Sequence, residues 1–147
     1  MSEVEAKELF IMGLESLKNK ETSAALDYLE KAVNLVRDPL YCSYLAICLA
    51  KEKGEFRRAV SLCKEAIKND PKNSSHFLNL GRIQLLANQK KDAIRVFHIG
   101  LRCGDNRHIK AELNKFGMRR LPPIPFLVRE NPINKFLGKL TYKLGFR

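Results

Sequence analysis

The stretch LGRIQLLANQKKDAIRVF, residues 80–97, decides how the rest of the chain is read. Gly81 is followed twelve residues later by Ala93 and, four further on, by Phe97. Two helices fit this spacing, broken near Ala87-Asn88-Gln89, with the small residues Gly81 and Ala93 where the backbones have to approach. The preceding stretch has a similar cadence in Leu45-Ala46, Gly54, Ala59, Cys63, Ala66 and Pro71. The interval is about 34 residues, a period that belongs to stacked helical repeats. The fold expected is therefore all-α, an α-solenoid of helix pairs.

Working outward, residues 5–38 form a first repeat. Leu9, Met12, Gly13 and Ser16 mark the inner face of its first helix, and Ala25, Leu29, Ala32 and Val33 make one apolar stripe on the second. Pro39 blocks continuation and opens the next helix, because proline is tolerated only in a first turn. The second repeat, residues 40–73, carries Leu45, Ala46 and Leu49, then Gly54 as a left-handed stop. Phe56, Ala59, Val60, Cys63, Ala66 and Ile67 form its second stripe, and Asp70-Pro71 ends it. Its internal turn is expected to be one residue longer than that of the third repeat. Asn73 or Ser74 is the N-cap of the third repeat. Phe77, Leu80, Gly81 and Ile83 lead its first helix; Ala93, Ile94, Phe97 and Leu101 lead its second, which Gly104 closes.

These positions resemble the tetratricopeptide repeat, whose pattern is W-x2-L-G-x2-Y, then A-x3-F, then A and P. In the third repeat Phe77 stands for the Trp, Leu80, Gly81, Ala93 and Phe97 match, and Gln84 departs from Tyr. In the second, Leu45, Ala46, Ala59, Ala66 and Pro71 match while Cys63 replaces Phe; in the first, Gly13, Ala25 and Ala32 match and Leu29 replaces Phe. The resemblance covers roughly residues 5–105. No such repeat buries its apolar face alone, so stacking supplies the core and the last repeat needs a cap. Residues 106–117, NRHIKAELNKFG, supply that cap through Ile109, Leu113 and Phe116. The repeat domain with its capping helix is thus expected over residues 1–117.

Residues 118–147 have another character. Pro122, Pro123 and Pro125 favour an extended segment, and Asn131-Pro132 starts an amphipathic helix with Ile133, Phe136, Leu137, Leu140 and Leu144 on one face and Lys135, Lys139 and Lys143 on another. The stretch PIPFLVRENPINKFLGKL resembles a tail found on small bacterial repeat proteins. The net charge of +11 lies mostly here: residues 106–147 hold 10 Lys and Arg against Glu112 and Glu130, a net of +8. Three uses of this tail stay open. It folds back to cover the repeats, it lies on an anionic membrane, or it binds nucleic acid or an acidic protein surface. Arg119-Arg120 followed by Leu121-Pro122-Pro123-Ile124-Pro125 also has the form of a basic PxxP ligand.

Other classes of activity find little footing. His76, His98 and His108 are scattered, in no metal or triad spacing, and are read as surface or helix-end residues. No Gly-rich phosphate loop or HExxH is present, so no cofactor, no metal and no enzyme are expected. Cys42, Cys48, Cys63 and Cys103 lack CxxC spacing and read as small buried hydrophobes, which fits a cytoplasmic location. The longest apolar run, LYCSYLAICLA, is too short to span a bilayer, and the acidic N-terminus does not resemble a signal peptide.

In a tetratricopeptide stack the first helix of each repeat lines a concave groove. The resemblance places Phe10, Ile11, Leu14 and Leu17 there from the first repeat, Ser43, Tyr44, Ile47 and Lys51 from the second, and Leu78, Asn79, Arg82 and Leu86 from the third. Chaperone-binding members hold a terminal carboxylate with a Lys/Asn/Arg clamp. Phe10, Leu14 and Tyr44 stand at the first clamp places, and Asn79 with Arg82 does not rebuild it. An apolar groove built from Phe10, Ile11, Leu14, Tyr44, Ile47, Leu78, Asn79 and Arg82 suits a partner peptide or helix with hydrophobic anchors. The expected function is a protein–protein adaptor; packing of Phe10 and Ile11 against neighbouring helices is the structural alternative. A self-occupied groove or a tail-swapped dimer is compatible with the same residues.

Overall fold

The computed structural model describes residues 1–116, so the readings made for the tail, including Lys135, Lys139 and Lys143, lie outside the described residues. The described chain is seven helices: α1 (Ser2–Lys18), α2 (Thr22–Leu35), α3 (Pro39–Lys53), α4 (Phe56–Asn69), α5 (Ser74–Leu86), α6 (Lys90–Cys103) and α7 (Arg107–Asn114). None is long and apolar enough to cross a membrane. Helices α1 to α6 pair as α1–α2, α3–α4 and α5–α6; α3 also packs on α2 and α5, α5 on α4, and α7 on α6. This is an all-α helical-repeat solenoid with a capping helix.

The helix boundaries follow local chemistry. Pro39 occupies the first turn of α3, and the Asp38 carboxylate accepts from the Leu40 N–H at 2.8 Å. Asn73 caps α5 through Ser75 N–H, and Asn106 caps α7 through the N–H groups of His108 and Ile109. Gly54 ends α3 at φ 62°, in the left-handed region where a side chain would be strained. The expected longer turn in the second repeat is corrected here. The extra residue lengthens α3, and only Gly54 and Glu55 join it to α4. Three residues join α5 to α6.

Packing explains the small positions. A Cβ at Gly81 would lie 2.6 Å from Cδ1 of the Phe97 ring, and one at Gly13 would meet Leu29 Cγ at 2.8 Å. Gly100 lets α7 seat, because a Cβ there would come within 2.6 Å of Ile109 Cδ1 and 2.8 Å of Phe77 Cβ. Beyond that junction Lys90 Nζ stands 4.8 Å from the centre of the Phe116 ring, tying the cap to the start of α6. Helix α3 is the centre of the core: every residue from Leu45 to Ala50 is buried, as are Cys42 and Ser43. On α1 the inner face is Ala6, Phe10, Gly13 and Ser16. Met12, expected on that face, is 43% exposed, since it lies one position off the stripe. Cys42, Cys48 and Cys63 are buried and Cys103 half-buried; burial pushes the Cys48 thiol up to about 12.

His76 corrects the expectation of a surface residue. It lies at the helix end, in the first turn of α5, but is fully buried there. Its Nε2 is 3.1 Å from Asp70 Oδ2, at the corner where α4 turns into α5, and among the described residues its Nδ1 has no partner. Burial lowers the His76 pKa despite the Asp70 carboxylate, and burial with the Arg102 charge lowers that of His98. Folded rings thus resist protons that unfolded rings accept near pH 6.5. The stability they contribute is complete above that value and lost as pH falls below it. Thermal unfolding should move to lower temperature between about pH 7.5 and about pH 5.5. His76→Gln should flatten that dependence; an unchanged slope would show that His76 is not a source of it.

Candidate functional site

Three first helices, α1, α3 and α5, meet around a cavity of about 220 Å³. Its wall takes Leu14, Leu17 and Lys18 from α1, Tyr44, Ile47 and Lys51 from α3, and Asn79 and Arg82 from α5. A second, more open hollow of about 490 Å³ shares Leu17, Lys18, Lys51 and Arg82, and continues to Leu85, Leu86 and Glu112. Together they form one trough along the first-helix face, apolar on its floor and cationic along its edge. Lys18, Lys20, Lys51 and Arg82 line it against the single acid Glu112.

The residues expected in a groove separate into three groups. Leu14, Tyr44, Ile47, Asn79 and Arg82 come together in the cavity. Phe10 turns inward: it is 7% exposed and stacks on Tyr41 at 4.5 Å between ring centroids, with Tyr44 edge-on at 5.6 Å. Leu78 is buried with Ala93, Phe97, Ile109 and Leu113 and serves the cap. Ile11 stands 51% exposed on α1, away from the cavity. Lys18, Lys20 and Glu112 line the trough outside the groove positions expected from the sequence. Lys18 and Lys51 each follow a small position, Gly13 and Ala46, by five residues, a repeat-to-repeat register visible in the sequence once the trough is located.

Two buried polar side chains pair beneath the apolar floor. Asn79 Nδ2 donates to Ser43 Oγ at 2.7 Å, and both residues are fully buried, so Ser43 holds Asn79 and makes no wall of its own. Among the described residues Asn79 Oδ1 has no partner. Arg82 Nε donates to Glu112 Oε1 at 3.0 Å, and Lys115 Nζ reaches Glu112 Oε2 at 3.2 Å, which ties α7 to the trough. Burial pushes the Tyr44 hydroxyl up while the nearby Arg82 charge opposes it. Among the described residues no three His, Cys, Asp or Glu side chains come together to hold a metal ion. A further hollow of about 410 Å³ lies on the second-helix face, where Arg37 and Glu65 already satisfy each other at 2.7 and 2.9 Å.

Residues 62–95 match the sequence profile of the tetratricopeptide repeat family. The paired helices have the fold of tetratricopeptide domains. Solved structures agree on the fold. The TPR domain of Arabidopsis OM64 superposes with a TM-score of 0.66 at 19% identity, covering 82% of this chain and 100% of its own. The Sgt2 TPR domain from Aspergillus fumigatus gives 0.60 at 24% identity, covering 81% and 85%. The TPR2B domain of yeast Sti1, solved as a complex with pHsp70, gives 0.57 at 19% identity and covers 97% of each chain. No curated protein matches the chain at a significant level. Tetratricopeptide stacks are interaction scaffolds whose concave face is the usual working surface. The first-helix face of this chain carries the trough between α1, α3 and α5.

Proposed function

We propose that this chain is a non-catalytic cytoplasmic adaptor that holds a segment of a partner protein in the trough of its tetratricopeptide stack. The observation that carries this is the convergence of Leu14, Leu17, Tyr44 and Ile47 from α1 and α3 on one open cavity, with Asn79 and Arg82 from α5 at its side. A groove with an apolar floor and few polar groups gives affinity through burial and orientation through the polar groups. The terminal-carboxylate clamp of chaperone-binding relatives is not the basis: aromatic Phe10 and Tyr44 and apolar Leu14 stand where its first polar residues would be, and Phe10 is buried in a ring stack.

Selection of random peptides displayed against the full chain, counter-screened on Leu14→Arg, tests the reading. Leu14 is half-buried at the trough wall, so arginine there blocks the cavity while the helix persists. Peptides enriched on the parent should be lost on the variant and retained by Lys31→Glu, a change on an exposed position of α2. Enrichment that survives Leu14→Arg, with helical circular dichroism intact, would move the site elsewhere.

A further inference from the structure

The second helices of successive repeats begin 34 residues apart, at Thr22, Phe56 and Lys90, so their surface positions correspond one to one. Arg57, Lys64 and Lys68 on α4, and Lys91, Arg95 and Arg102 on α6, recur at spacings of four and seven, which keep them on one face of each helix. Arg57 aligns with Lys91 and Lys68 with Arg102, whereas the same stripe of α2 carries Asp27 and Glu30. Helices α4 and α6 together hold eight Lys and Arg against two acids; α1 and α2 hold three Lys against six acids. Five of the six stripe cations are exposed and Arg95 is half-buried. Among the described residues only Arg95 is in an ion pair, with Asp92 at 3.4 Å.

The two junctions between second helices differ in the same sense. The hollow between α2 and α4 is lined by Glu30, Arg37, Arg58 and Glu65, two acids against two bases, with Asn34 and Ser61 between them. Thirty-four residues on, the charged four become Lys64, Pro71, Asp92 and Ile99, and the neutral two become Lys68 and Arg95. The cross-helix pair of Arg37 with Glu65 thus has no counterpart, and Ile99 is buried instead. Burial, together with the Arg102 charge, disfavours protonation of His98 in the same row, so the charge comes from Lys and Arg alone.

We propose that these two ridges bind the phosphate backbone of a nucleic-acid duplex, on a surface separate from the trough. No residue of α4 or α6 lines the trough, so both surfaces can be occupied together. The absence of apolar anchors selects the partner: among the described residues no large hydrophobic side chain of α4 or α6 is exposed. A protein interface is centred on such anchors, and a membrane-surface helix inserts them. Phosphate contacts require only cations. The aromatic residues of the two helices, Phe56 and Phe97, are half-buried and buried, which leaves no ring to stack on an unpaired base. Binding is therefore to duplex and indifferent to sequence. From Arg57 to Lys68 the ridge rises about 16 Å, the length of about five phosphates along one strand.

Fluorescence anisotropy with the full chain and a labelled 20-base-pair duplex, over a range of salt concentrations, tests this. The triple change Arg57→Gln, Lys64→Gln and Lys68→Gln should weaken binding about tenfold or more at low salt. It should also lower the slope of log affinity against log salt by about two to three. Lys91→Gln with Arg95→Gln and Arg102→Gln should do the same, so the proposal does not depend on one variant folding. Lys7→Gln with Lys31→Gln and Lys53→Gln removes equal charge from exposed positions elsewhere and should leave the slope unchanged. Two duplexes of unrelated sequence should bind alike. Equal weakening by the control triple would overturn the proposal in favour of net charge alone. Ridge variants that bind like the parent, while Lys135→Gln with Lys139→Gln and Lys143→Gln abolishes binding, would move the site to the C-terminal segment. Failure of the parent to bind duplex at low salt would refute the proposal, as would ridge-dependent binding to phosphatidylserine vesicles tighter than to duplex.

Discussion

Phe97→Ala should destabilise the protein by about 3–5 kcal/mol in denaturant unfolding, the range for truncating a fully buried aromatic side chain. The Phe97 ring has no exposed surface, lies across Gly81 and packs with Leu78, Ile109 and Leu113. It therefore joins three helices, α5, α6 and α7, and the cavity left behind cannot close without moving all of them. Repeat arrays transmit stability mainly between neighbours. The loss should accordingly concentrate in the third repeat and its cap. Amide exchange should quicken most over α5 to α7 and least over α1 and α2. A cost below about 1 kcal/mol would mean that the ring is not the keystone of this end.

Gly81→Ala is the complementary experiment. Its Cβ would stand 2.6 Å from Cδ1 and 2.7 Å from Cζ of the Phe97 ring, closer than atoms tolerate. The ring is hemmed in by the cap, so either it leaves its rotamer or α5 and α6 part, at about 1–3 kcal/mol. That exceeds what alanine normally gains over glycine inside a helix, about 0.5–1 kcal/mol, so the sign is set by the clash. Because the two residues touch, their changes should not add. In the Phe97→Leu background, Gly81→Ala should cost measurably less than in the parent. Equal costs in both backgrounds would show that the clash is with something else. Gly100 offers less relief, because one of its neighbours is Phe77 Cβ, held directly by the α5 backbone.

The solenoid was legible because its signals are local. Gly81, Ala93 and Phe97 state a helix contact by size alone, and Pro39, Gly54, Asn73 and Asn106 mark boundaries through backbone chemistry that needs no tertiary context. The trough was harder to read. On α3 apolar residues run almost unbroken from Leu45 to Ala50, so periodicity cannot say which side faces a neighbour and which a cavity. Leu78 resembles Leu14 in type, yet the cap that buries it is supplied by residues more than thirty positions away. Phe10 is drawn inward by Tyr41 and Tyr44, a stack that no spacing rule announces. Lys18 and Lys51 could be aligned from the sequence, but a lysine at a helix end has an ordinary explanation until a cavity is found beside it. His76 was missed for a similar reason: only the turn at Asp70 shows that it is enclosed.

The burial of α3 on so many sides has a consequence for how the chain is made. Helix α3 rests on α2 and α4, and also on α5, which is synthesised after it. A nascent polypeptide that has emerged only through the second repeat carries the most apolar stretch of the molecule with one flank bare. The growing chain can therefore begin to fold early but cannot finish its core before α5 leaves the ribosome. Until then α3 is the segment a chaperone would meet.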